Sequence, residues 1–118
     1  MKYLSSEMAD RLTEALVDYA SKKKLPHYEA GFLILRFSGC RIGEAQLVDR
    51  KSVVWDPFPG LWLVTLKRRS RDVHRLVPMP EEVLKRIESI LESASMRKFE
   101  RSNVRKLMHR VGVRPVSY

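Results

Sequence analysis

One cysteine, Cys40, is all that the 118 residues contain. That rules out an internal disulfide framework and a thiolate-based zinc site, which needs several thiolates at short spacing, and it fits a reducing compartment. Long hydrophobic runs are missing too. The longest, 30–35, has Gly31 inside it and is far too short to cross a bilayer, so no membrane association is expected. The opening Met1-Lys2-Tyr3-Leu4-Ser5-Ser6 passes directly into a charged amphipathic segment. No secretory signal is therefore expected, and the chain is predicted to be cytoplasmic. His27, His74 and His109 are scattered without ligand spacing, which predicts surface or packing roles and no metal site. No repeat or flexible linker is visible, and a single domain over 1–118 is predicted.

What is abundant is positive charge. Lys and Arg total 23 against 14 Asp and Glu, a formal net charge of +9. The excess is lopsided: residues 1–59 carry nine basic and eight acidic side chains, residues 60–118 fourteen and six. Such asymmetry points to a face built for a polyanion, and phosphate backbones are the commonest intracellular polyanion. The alternative is a solvated basic surface with no partner. The 44% hydrophobic content suffices for one ordinary core.

The apolar spacing predicts a first helix with a Met8, Leu12, Ala15, Leu16, Tyr19 stripe, capped by Ser5 or Ser6 and ending near Lys22-Lys23-Lys24. Pro26 suits the start of a second helix, apolar nearly all round over 28–37 and closed by Ser38-Gly39. A short third helix is predicted over 41–48. From Asp49 the character changes. Residues 52–55, 61–66 and 73–77 read as strands of a small antiparallel sheet, joined by the turn 56–60 and the basic loop 67–72 and stopped by Pro78 and Pro80. Helices return after Pro80-Glu81-Glu82, with Val83, Ile87, Ile90 and Leu91 as the stripe. A basic link, 96–101, precedes a last helix capped by Ser102, with Val104, Leu107, Met108 and Val111 facing inward and Gly112 as terminator. Arg105, Lys106, His109 and Arg110 fall off that stripe. The predicted class is α+β, mainly helical, with a three-stranded antiparallel sheet inserted between helices.

The informative segment is Ser38-Gly39-Cys40-Arg41-Ile42-Gly43-Glu44-Ala45. A glycine turn delivers Arg41 to a helix start, where free amides and a guanidinium together suit a phosphate. Glu44, three residues on, is placed to fix that guanidinium by a charge-assisted hydrogen bond; an exposed arginine in an ordinary surface ion pair is the alternative. Cys40 beside Arg41 reads either as a thiol with lowered pKa or as a small buried filler, the filler being favoured. Trp55 and Trp62, on predicted strands, suit either base stacking or packing, with core packing expected of at least one.

The same segment, followed by Leu47, resembles the first arginine box of the tyrosine recombinases, the phage-integrase family. Lys67 after a strand in a basic hairpin, then Arg75-Leu76-Val77-Pro78-Met79-Pro80, is similar to the family's hairpin lysine and following strand. The opening Tyr3-Leu4-Ser5 and the helix over 104–112 fall where the family's catalytic domain has corresponding elements. The resemblance implies DNA strand exchange, in which a tyrosine forms a 3′-phosphotyrosine link, arginines hold the phosphate and a hairpin lysine protonates the leaving 5′-oxygen, without metal or nucleotide cofactor. It places Arg41 as first arginine, Glu44 as its acidic supporter and Lys67 as general acid, with Arg68 and Arg69 as competing registers. A DNA-backbone contact is the equal alternative for Lys67. Arg68, Arg69, Arg71, Arg75, Arg105, Lys106 and Arg110 are the expected DNA contacts.

The resemblance also carries a departure. The family's second arginine box and nucleophilic tyrosine have no counterpart in these residues, and Tyr118, Tyr3, Tyr28 and Tyr19 do not match the nucleophile. The expectation is a partial catalytic domain, unable to cleave DNA alone, with duplex DNA as partner and self-association or a chain carrying the missing half as further possibilities. A small-molecule substrate is not expected. A non-catalytic DNA-binding regulator derived from an integrase is the alternative, and a basic RNA-binding protein a weaker one, since no RNA-recognition signature is present.

Overall fold

Ser5 opens the first helix by accepting a hydrogen bond from the Met8 amide at 3.2 Å, as an N-cap serine does. The computed structural model describes residues 5–65 and 73–112. Helix α1 runs over Ser6–Lys22 and α2 over Pro26–Ser38, with Pro26 in the first turn. The inward face of α1 differs from the expected stripe. Ala9, Thr13, Leu16 and Ala20 are buried, whereas Met8 is 58% exposed and Ala15 faces solvent. Leu16 of the expected stripe is fully buried and Leu12 and Tyr19 pack half-buried against the core, so the face is turned toward Ala9, Thr13 and Ala20. Arg36 of α2 donates to Asp10 of α1 at 2.8 Å and to the Ser6 hydroxyl at 3.0 Å.

Helix α2 is the spine of the molecule, packing on α1, α3 (Ile42–Gln46) and α4 (Glu81–Leu91). Tyr28, Ala30, Gly31, Phe32, Ile34 and Leu35 are all buried. The sheet lies between α3 and α4 in the chain, in the order β1 (Val53–Val54), β2 (Gly60–Thr65), β3 (Val73–Pro78), antiparallel throughout. Its alternation puts Leu61 and Leu63 in the core at 0% exposure and Trp62 outside. The expected core tryptophan is therefore absent. Trp62 stands on the outer face, and Trp55, just past β1, is also exposed, its indole N–H donating to Glu88 of α4 at 3.0 Å.

Helix α4 buries Ile87, Ile90 and Leu91 of the expected stripe and adds Leu84, while Val83 packs against the core half-buried. The segment expected as a basic link is part of the core. A 3₁₀ turn over Met96–Lys98, capped by Ser95, tucks Met96 and Phe99 inside while Arg97 and Lys98 face water. The Phe99 ring meets Phe32 edge-on at 5.7 Å and Tyr28 at 6.0 Å. Helix α5 spans Arg101–Val111 and ends at Gly112 in the left-handed conformation, φ 83°. Glu100, not Ser102, is the residue before its first turn. Ser102 lies within the helix and its hydroxyl donates to Glu100 at 3.4 Å. The architecture is α+β, mostly helical with a small antiparallel sheet. No described helix is long and apolar enough to cross a membrane.

Candidate functional site

Three hydrogen bonds build the turn that presents Arg41. Ser38 donates its hydroxyl to the Ile34 carbonyl at 2.5 Å and accepts from the Cys40 amide at 3.2 Å. Gly39, at φ 70°, donates its amide to the Leu35 carbonyl at 3.1 Å. That left-handed conformation costs an L side chain roughly 1–2 kcal/mol, which is why glycine belongs there. The chain then drops Cys40 into the core and turns Arg41 outward in an extended conformation at the head of α3. Burial pushes the Cys40 thiol above its ordinary pKa. Arg75, not Arg41, is the nearby cation that opposes the shift. Cys40 is thus the small buried filler, and no lowered thiol pKa accompanies it.

Glu44 does not hold Arg41 by its guanidinium, as the spacing had suggested. One carboxylate oxygen accepts from the Arg41 main-chain amide at 3.1 Å, while the Glu44 amide donates to the Arg41 carbonyl at 3.0 Å. This reciprocal pair fixes the backbone of Arg41 and leaves its side chain exposed. The other oxygen takes the Arg75 guanidinium of β3 at 3.2 Å. Glu44 is nearly buried, its side chain 11% exposed against 47% for Arg75. A carboxylate so placed needs its partners, and it draws β3 onto the head of α3. Arg75 stands opposite Leu63 in the sheet register, on the inward face, which explains the reach to Glu44.

Helix α3 holds five residues rather than the expected 41–48. So short a helix adds little dipole, and the positive charge of this corner comes from the Arg41 and Arg75 side chains. Arg41 and Arg75 are brought together around Glu44. Lys67, Arg68, Arg69 and Arg71 lie outside the described residues, in the connection from β2 to β3. Arg105, Lys106 and Arg110 are exposed on α5. Arg110 acts on Tyr28 near the start of α2, where burial raises the phenol pKa and the guanidinium opposes it. Lys98 reaches the same end, adding to the burial that lowers the pKa of His27. From Tyr28 to Ser38 is ten residues of helix, about 15 Å, so Lys98 and Arg110 at the start of α2 stand well apart from Arg41 beyond its end.

One ion pair with a buried carboxylate lies outside the sequence expectations. Glu29, in the most apolar helix, accepts two hydrogen bonds from Arg86 of α4, at 2.5 Å from Nε and 3.0 Å from Nη2. A lone carboxylate in a run as apolar as 28–37 is the signal that such a partner exists. The pair borders a groove of about 770 Å³ also lined by Arg11, Glu14 and Asp18. Its three carboxylates against two guanidinia do not suit an anion. No group of three or more His, Cys, Asp or Glu side chains among the described residues is placed to hold a metal. Searched against family models, curated proteins and solved structures, the chain has no match.

Proposed function

We propose that this chain binds duplex DNA through its phosphates as an integrase-type protein of tyrosine-recombinase character that holds the first-arginine and hairpin-lysine half of the active site, with Arg41 on the phosphodiester and no strand cleavage by the chain alone. The observation that carries the reading is the joining of Arg41 and Arg75 through the one carboxylate of Glu44. The main chain of Arg41 is fixed, its guanidinium is exposed, and the strand leaving the basic connection is tied beside it. A phosphodiester that gains charge on its non-bridging oxygens is stabilised by a guanidinium presented from a main chain so fixed. Lys67 is the proposed proton donor to the leaving oxygen, with Arg68, Arg69 and Arg71 on the backbone. Arg105, Lys106 and Arg110 of α5 are the further proposed backbone contacts. Duplex DNA carries one charge per about 1.7 Å of axis, so about 15 Å spans roughly nine charges, enough for cations near both ends of α2 to engage one duplex.

The test is anisotropy of a labelled duplex with the unmodified chain and with Arg41→Ala. Loss of a charge-assisted phosphate contact is expected to weaken binding about tenfold or more. Arg11→Ala, on the exposed side of α1 and paired to Glu7, is the control expected to change nothing. Equal affinity in Arg41→Ala, or tighter binding of a structured RNA competitor, contradicts the reading.

A further inference from the structure

Leu47 follows α3, at the far end of that helix from Arg41, with 48% of its surface exposed. A lone exposed leucine is ordinary. This one stands on the wall of a groove of about 500 Å³, the size of a small-ligand pocket. Leu91 at the end of α4, Ala94 and Met96 supply the rest of its apolar lining. Two short turns make the walls, and each is held by its own cap. On one side the Asp49 carboxylate accepts from the Lys51 amide at 2.9 Å, heading a 3₁₀ turn over Arg50–Ser52. On the other the Ser95 hydroxyl accepts from the Arg97 amide at 3.2 Å. The Gln46 side chain ties the two, donating to the Arg97 carbonyl at 2.6 Å. The groove is therefore formed before anything binds, which lowers the cost of docking.

We infer that this groove docks an acidic amphipathic helix of a partner protein, with aliphatic anchors against Leu47 and carboxylates on the rim. Charge complementarity chooses the occupant. Arg50, Lys51 and Arg97 stand exposed along the groove, and none of them forms an ion pair among the described residues. Asp49 is the one carboxylate in the lining, and its own turn already uses it. No lining residue belongs to the sheet, so an extended segment has no strand edge to join. A duplex would set charged phosphate oxygens against Leu47 and Ala94, and no aromatic ring lines the groove for a base to stack on. A second copy of this chain, at net +9, is repelled by the same cations. Nothing in this docking depends on the DNA reading above.

The probe is a fluorescein-labelled peptide of glutamates with leucines at i, i+3, i+4 and i+7, followed by anisotropy on adding the unmodified chain. Leu47→Ala is expected to weaken it about fivefold or more, as truncating an interface anchor does, with duplex affinity unchanged. Arg97→Glu reverses one rim charge. It is expected to weaken the peptide by a similar factor and to make its salt dependence shallower. Two further peptides, one with alanine for leucine and one with glutamine for glutamate, are each expected to bind about fivefold more weakly or worse. Because Leu47 and Arg97 are exposed, circular dichroism of both variants is expected to match the parent. No binding of the leucine peptide, equal binding of the alanine peptide, or unchanged affinity in Leu47→Ala each overturns the proposal. So does a loss of duplex affinity in Leu47→Ala, or a dimer that this variant dissolves. Failure of the duplex reading shows separately, as duplex binding indifferent to Arg41→Ala.

Discussion

Gly31 occupies the middle of α2 because the Phe99 ring fills the space where a β-carbon would stand. Gly31→Ala is expected to lower unfolding free energy by about 1–3 kcal/mol through overpacking, although alanine is the better helix former. Phe99→Ala is expected to cost about 3–5 kcal/mol. In the double variant the penalties should fall short of additive, because the methyl then enters the vacated space. Urea midpoints of the four proteins check this, and strict additivity would refute the contact. Sequence showed a glycine in an apolar run but not its partner 68 residues away. Phe99 sits among Arg97, Lys98, Glu100 and Arg101, and that charged setting hid a fully buried ring. Trp62 shows the reverse: its size suggested the core, and the sheet register placed it outside.

Between elements, the strongest specific link is the forked Glu29–Arg86 pair joining α2 to α4. Glu29 has a side chain only 7% exposed, whereas that of Arg86 is 53% exposed. Arg86→Ala is expected to cost about 1–3 kcal/mol, mainly the penalty of an unpaired buried carboxylate that water reaches only in part. Adding Glu29→Gln to Arg86→Ala should recover part of that loss; a denaturant midpoint that drops further would sink this explanation. Helix starts and stops were legible because they are local chemistry: Ser5, Pro26, Gly39 and Gly112 act within four residues of themselves. Which side of α1 faces inward was not legible, since it depends on the surface of α2 it meets. The arginine turn could be read from residues 38–45, whereas the claim of Arg75 on Glu44 needed the sheet register.

At the scale of the whole molecule, charge and titration set the behaviour. Burial, aided by Lys98, lowers the pKa of His27 below its ordinary 6.5. The unfolded chain therefore binds this proton more readily than the folded one, and acidification below about pH 6.5 favours unfolding until the folded pKa is passed. Stability is expected to fall over that window, and His27→Gln to remove part of the fall. Chemical denaturation at several pH values checks it, and an identical slope in the variant would refute it. The basic excess of residues 60–118 is plain in the sequence, but that Arg75 meets Glu44 while Lys98 and Arg110 lie by the start of α2 comes only with the fold.

The central claim is that Arg41 and its neighbouring cations hold DNA phosphates, and a salt titration of duplex binding tests it most directly. Affinity should fall linearly on logarithmic axes between about 50 and about 200 mM salt, and Arg41→Ala should make the slope shallower by about one. Affinity that stays level across that range, or a slope identical in Arg41→Ala, would contradict the account.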